Sequence, residues 1–123
     1  MKPSARILLV DDDPMMLELI GTRLELAGFE TVQARGGQEG LSRLRKNDVD
    51  AMILDLNMPR LSGLEVLTKM KLLGYLPRVP TMVLTASHQA ADLQLAIQLG
   101  ARDFLTKPFE DHMLLSRVAR LLR

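Results

Sequence analysis

Along the chain, short apolar runs alternate with longer segments whose apolar residues recur every three or four positions. Arg6 to Val10, Ala51 to Leu54 and Thr81 to Thr85 show little polar alternation, as in strands buried on both faces. Phe29 to Gln33 and Asp103 to Thr106 are weaker runs that would complete five strands. Met16, Ile20, Leu24 and Ala27 recur at helical spacing behind Asp13 as N-cap and Pro14 at the first helical position, and Gly28 closes the segment. Gly40 to Arg45, Leu64 to Leu73, Ala90 to Leu99 and Asp111 to Leu122 supply four more helices, with Gly74 and Gly100 as stops. The alternation predicts an α/β domain of the (βα)5 type, a doubly wound five-stranded parallel sheet with helices on both faces.

Composition narrows the picture without changing it. A chain of 123 residues can bury one core but not two, so residues 1–123 are read as one domain. Hydrophobic residues at 47% and charged residues at 25% match an ordinary globular chain rather than a disordered or membrane one. A net charge of +1 speaks against direct nucleic-acid binding, which usually needs a clear basic excess. The absence of cysteine removes any disulfide framework or thiolate metal site. Met1-Lys2-Pro3-Ser4 runs straight into a short apolar segment, so no signal peptide or membrane span is expected and the cytoplasm is the default location.

In an open α/β sheet, ligands bind at the carboxyl ends of the strands, near the point where strand order reverses. Polar residues gather just there: Asp11, Asp12 and Asp13 after the first run, Asp55 after the third, Thr85 and Ser87 after the fourth, Lys107 after the fifth. Three consecutive aspartates repel one another, which reads either as a solvated acidic turn or as a site for a hard divalent cation. With Asp13 assigned to the helix cap, Asp11 and Asp12 remain for an ion. Asp55 should join them at the same sheet edge, and three converging carboxylates suit Mg2+. Lys107 and Thr85 could bind the oxygens of a transferred phosphoryl group, and a carboxylate can itself be the nucleophile, giving an acyl phosphate.

Val10-Asp11-Asp12-Asp13, Leu54-Asp55-Leu56-Asn57-Met58-Pro59, Leu84-Thr85-Ala86 and Leu105-Thr106-Lys107-Pro108-Phe109 together resemble the four signature blocks of response-regulator receiver domains, in family order and over nearly the whole chain. That resemblance implies a flavodoxin-like fold and a phosphorylation-dependent switch of a two-component phosphorelay. Asp55 would accept the phosphoryl group from a sensor histidine kinase or a histidine phosphotransfer protein, and the switch would control an output domain or a downstream partner. Asp12 would ligate Mg2+ directly, Asp11 mainly through water, with Asp55 and the Asn57 backbone carbonyl completing the protein ligands. Thr85 and Lys107 would contact the phosphoryl oxygens, and the Lys107-Pro108 peptide would be cis. Phe104 stands where the family has its switch aromatic, although a plain core aromatic is the alternative. Asn57 and Ser87 match two positions that tune dephosphorylation. Any output domain would lie outside this chain. Receivers joined to winged-helix domains commonly dimerise through inter-subunit charge pairs. Here Asp103 and Arg117 match that pattern, but Leu93, Met113 and Arg102 depart from it, so a charge-locked dimer is not expected.

Other signals carry less. Gly36-Gly37-Gln38-Glu39-Gly40 lacks the order of a phosphate loop and reads as a turn into the second helix. His88 and His112 lack carboxylate or thiol neighbours at metal-ligand spacing and read as surface positions. The eight methionines read as core filling. The Asp11-x-Asp13 element also resembles haloacid-dehalogenase-like phosphatases, in which Asp11 would be the nucleophile, but Met15 and the lack of a late acidic pair depart from that pattern. A third reading is a binding module that never carries phosphate.

Overall fold

The computed structural model describes residues 4–86 and 90–123. Strands β1 (Arg6–Val10), β2 (Glu30–Ala34), β3 (Ala51–Asp55), β4 (Thr81–Thr85) and β5 (Asp103–Thr106) alternate with helices α1 (Pro14–Leu26), α2 (Gly37–Lys46), α3 (Gly63–Leu72), α4 (Ala90–Leu99) and α5 (Asp111–Leu121). The strands form one sheet in the order β2-β1-β3-β4-β5 with every neighbouring pair parallel. Strand order reverses beside β1, so the ends of β1 and β3 open onto a common crevice.

Successive strand side chains point to opposite faces, and both faces are covered. Ile7, Leu9, Ile53, Met82, Leu84 and Leu105 pack with Leu17, Ile20 and Leu24 of α1 and with Leu114, Val118 and Leu121 of α5. Leu8, Val10, Met52, Leu54 and Val83 pack with α2, α3 and α4 through Leu41, Leu44, Val66, Leu67, Met70 and Ala96. This explains the unbroken apolar runs, since a strand with two buried faces has no room for alternating polar positions. Each fully buried Leu, Ile or Met contributes about 1.5–3 kcal/mol relative to exposure, enough for the two layers to hold the strand ends firmly. Gly74 and Gly100, the expected stops, follow α3 and α4 with φ of 83° and 125°.

The largest departure from expectation is α2, which begins at Gly37 rather than Gly40 and so absorbs most of the segment expected to be a turn. The glycines are there for closeness: a Cβ on Gly37 would lie 2.7 Å from Val66 Cγ2, and one on Gly40 would lie 3.0 Å from Val10 Cγ2. Packing of α2 against β1 and α3 outweighs the poor helix propensity of glycine. Elsewhere the bounds shift by a residue or two: β2 starts and ends one residue later, β3 includes Asp55, α3 starts and ends one earlier, Ala27 caps α1, and α5 ends at Leu121.

Helix α3 starts hard against the end of β3. Ser62 caps it by accepting from Glu65 N–H while the Glu65 side chain accepts from Ser62 N–H, a reciprocal capping box. Gly63 N–H donates to Leu56 O at 3.1 Å, and a Cβ there would sit 2.5 Å from Asp55 O and 2.6 Å from Leu56 Cα. These obstacles are backbone atoms and cannot swing aside. Gly63→Ala is therefore expected to lower the unfolding free energy by about 2 kcal/mol or more in urea denaturation. Gly36→Ala, where nothing lies within 4 Å, should cost no more than about 1 kcal/mol.

Candidate functional site

The carboxyl ends of β1, β3 and β4, with the loop after β5, bring the chemistry-bearing residues together. β1 delivers Asp11 into the crevice, where it is 2% exposed, and Asp11 N–H extends the strand ladder to Ala34 O at 3.1 Å. Asp11 Oδ1 accepts from Asp13 N–H at 2.9 Å, and Asp13 Oδ1 in turn accepts from Met15 N–H at 3.0 Å. Asp13 is thus committed to starting α1, and Pro14 follows at a position that needs no N–H. Asp12 faces solvent.

Asp55, 3% exposed, ends β3. Its Oδ1 accepts from Asn57 N–H at 3.1 Å, and Leu56 N–H to Leu84 O at 2.9 Å ties the strand end to β4. Thr85, 1% exposed, ends β4, and its Oγ1 donates to Asn57 Oδ1 at 3.1 Å. Lys107 N–H donates to Thr85 O at 2.9 Å, and the Lys107-Pro108 peptide is cis. From there Lys107 Nζ reaches Asp11 Oδ2 at 3.1 Å and Asp55 Oδ1 at 3.7 Å.

Asp11, Asp12 and Asp55 each offer a carboxylate oxygen, all within 4.8 Å of one another. Two of the three are buried and one opens to solvent, so an ion would have both a closed floor and a route of entry. Oxygen-only donors of this charge fit a hard cation of the Mg2+ type. Beside Asp12 lies a cleft of about 500 Å3 lined by Arg35, Gly36, Gly37, Pro59 and Arg60 among others.

Electrostatics follow from this crowding. Burial pushes the Asp55 carboxyl up from its ordinary 3.8 to about 6; the Asn57 N–H bond pulls it down, the Asp11 charge raises it, the Lys107 ammonium lowers it and Asp12 raises it again. At neutral pH the group is still mostly ionised and therefore nucleophilic. Between pH 3.8 and about 6 the folded chain holds a proton on Asp55 that the unfolded chain has released. The stability linked to this group is present below that window and lost as the pH rises through it.

Other expected positions fall elsewhere. Phe104 is 38% exposed, so the plain core-aromatic reading does not hold: in β5 it is Leu105 that points inward. Ser87 and His88 lie outside the described residues. His112 is exposed, with Nδ1 3.3 Å from Glu110 Oε2 at the start of α5. Asp103 pairs within the chain, accepting from Arg117 at 3.1 Å and from Arg120 at 2.6 Å, while Arg102 donates to Leu121 O. Leu93 packs partly against the core rather than standing free. Three contributors escaped sequence reasoning: the capping box, the Gly63 contact and the Thr85–Asn57 bond. Ser62-x-x-Glu65 was a legible signal for the first; the other two are contacts across elements and leave no local pattern.

A family model described as the response regulator receiver domain matches residues 7–119. The chain is 40% identical over 119 residues to the transcriptional regulatory protein CpxR homolog of Haemophilus influenzae, covering 97% of this chain and 51% of that protein. It is 40% identical over 120 residues to the transcriptional regulatory protein PrrA of Mycobacterium tuberculosis, covering 98% of this chain and 51% of that one. The chain thus spans about half the length of the curated relatives it matches. Among solved structures, the chemotaxis protein CheY4 of Vibrio cholerae superposes with a TM-score of 0.91 at 30% identity, covering 97% of this chain and 99% of that one.

The burial of Asp55 can be checked without any ligand. In metal-free buffer Asp55→Asn is expected to raise the unfolding free energy at about pH 7.5 by on the order of 2 kcal/mol, and to change it little at about pH 3.5, where the wild-type group is neutral in the folded state and mostly protonated in the unfolded one. Paired urea titrations at the two pH values measure the difference directly.

Proposed function

The chain belongs to the response-regulator receiver family, and on that premise we propose that Asp55 is the phosphoryl acceptor of this two-component signalling switch. The observation that carries the proposal is the convergence of Asp55 with Asp11, Asp12, Thr85 and Lys107 at one strand edge. The donor would be a sensor histidine kinase or a histidine phosphotransfer protein. An Asp55 oxygen attacks phosphorus, the bond from phosphorus to the donor imidazole nitrogen breaks, and its electron pair leaves with the imidazole. The product is an aspartyl phosphate, and the only chemistry the domain performs is on its own acceptor.

Asp11, Asp12, Asp55 and the Asn57 backbone carbonyl would hold Mg2+, which when bound neutralises charge on the phosphoryl oxygens. Lys107, already 3.1 Å from Asp11 Oδ2 and 3.7 Å from Asp55 Oδ1, would pair with one of those oxygens. Thr85 would donate to another, and the outward Phe104 would turn inward as Thr85 moves. Asn57 and Ser87 would set how fast the acyl phosphate hydrolyses. The phosphatase reading has less support, because Asp11 Oδ1 is held by Asp13 N–H and Oδ2 by Lys107, which leaves it poorly placed to attack.

Residues 1–123 would act as the receiver unit of a regulator whose output, in an attached domain or a separate partner, responds to the switch. With a net charge of +1 the unit is not expected to bind nucleic acid itself. No helix among the described residues is long and apolar enough to cross a membrane, which agrees with a proposed cytoplasmic location. Asp103 already shares its charge with Arg117 and Arg120, which supports the expectation that no charge-locked dimer forms.

Incubation with acetyl phosphate and Mg2+ should label Asp55, and Asp55→Asn should abolish labelling with the circular dichroism of the folded chain retained. Label on Asp11 with rapid turnover would instead point to the phosphatase, and no label to a binding module. Lys107→Ala is expected to allow slow labelling while uncoupling it from the conformational change. NMR shifts on adding beryllofluoride that match wild type would contradict that role.

A further inference from the structure

The cleft of about 500 Å3 beside the acidic group has no part in the proposed phosphoryl transfer. Its walls are the β2–α2 turn with the start of α2 and the loop between β3 and α3. They are pressed together at Gly37, where a Cβ would lie 3.0 Å from Leu61 Cβ. Each wall supplies one exposed arginine, Arg35 and Arg60. The Arg35 backbone is fixed by its N–H, which donates to Glu39 Oε1 at 2.7 Å. Arg60 has a φ of 66° and, among the described residues, is the only one besides glycine with a positive φ. Glycine adopts that conformation at least cost, so the backbone gives no reason for a long cationic side chain at this point. Among the described residues the arginines in ion pairs are Arg6, Arg23, Arg117 and Arg120, and neither Arg35 nor Arg60 joins them. Asp12 belongs both to the cleft and to the three-carboxylate group, so the two arginines stand beside the acceptor.

We propose that Arg35 and Arg60 read a carboxylate that the phosphodonor carries beside its phosphorylated imidazole, and so favour such donors over neutral ones. The inference rests on Asp55 being the acceptor. A donor that brings its phosphoryl group to Asp55 covers part of the adjoining cleft and takes water from both guanidiniums. A cation stripped of water without a partner is costly, and a carboxylate placed between the two offsets that cost through charge-assisted hydrogen bonds. The acids of the cleft itself are already engaged: Glu39 accepts from Arg35 N–H, and Asp12 faces the site expected to hold Mg2+. The donor carboxylate makes and breaks no bond. An Asp55 oxygen still attacks phosphorus, and the imidazole still leaves with the electron pair. Arg35 and Arg60 are therefore specificity-determining residues that act on donor binding.

The test uses two small donors, N-phosphoryl imidazole-4-propanoate and the corresponding amide, which match in shape and differ in one charge. The second-order rate of Asp55 labelling in the presence of Mg2+ is measured for wild type, Arg35→Gln, Arg60→Gln, Arg60→Lys and the double glutamine variant. Arg45→Gln, at an exposed arginine of α2 outside the cleft, controls for overall charge. Wild type should react roughly fivefold faster with the carboxylate donor than with the amide, the size expected of two partly exposed charge pairs. That preference should shrink in each single glutamine variant, vanish in the double variant and survive in part in Arg60→Lys, which keeps the charge. Arg45→Gln should retain it. No preference in wild type, an undiminished preference in the double variant, or an equal loss in Arg45→Gln overturns the reading of Arg35 and Arg60 alone. Failure of both donors to label Asp55 in wild type overturns the proposed function and this inference with it.

Discussion

Two buried carboxylates share one ammonium. Asp11 and Asp55 sit in the same crevice with Lys107 within 4 Å of each, and the third acid, Asp12, closes the group on the solvent side. Like charges held in a poorly hydrated place are costly, and the surrounding structure is arranged around that cost. Backbone N–H groups of Asp13 and Asn57 each donate to one of the acids, and Lys107 reaches in from the loop after the edge strand β5. Burial raises the Asp55 carboxyl toward neutrality, the Asn57 N–H draws it back, and the neighbouring acids and Lys107 pull in opposite directions.

Such a site needs a rigid support, because the acids must be kept close against their own repulsion. The support is a sheet buried on both faces, whose central strands end together where the order reverses. Gly63 lets α3 begin in contact with the backbone of Asp55 and Leu56, which fixes the end of β3 from behind. Asp55 ends β3 and Asp11 follows β1 with its N–H continuing the ladder to Ala34 O, so the spacing of these two acids is set by the sheet.

The same edge carries the elements of a switch. Thr85 and Lys107 are joined through the backbone, and Asn57 lies between Thr85 and Asp55, so a change of charge at Asp55 is felt by groups already in contact with it. At the other end of β5, Asp103 is paired with Arg117 and Arg120, which separates that cluster from the acidic one.

Most of the architecture was legible in the chain itself. The central strands β1, β3 and β4, buried on both faces, have to be largely apolar, helices have to repeat every three or four residues, and polar residues gather after the strands, so the order of elements and the meeting of Asp11, Asp12, Asp55, Thr85 and Lys107 at one sheet edge were legible in the chain. Local rules failed where a distant contact outweighed them. Gly37 and Gly40 looked like a turn because glycine disfavours helix, yet β1 and α3 press so close that only glycine fits in α2. Phe104 could be read as core or switch until the pleat of β5 turned it outward and Leu105 inward. The pairing of Lys107 with Asp11, 96 residues apart, and of Thr85 with Asn57 belongs wholly to the tertiary structure. Periodicity encodes which face of an element is buried, but which side chains meet across the crevice is decided only when the sheet is assembled.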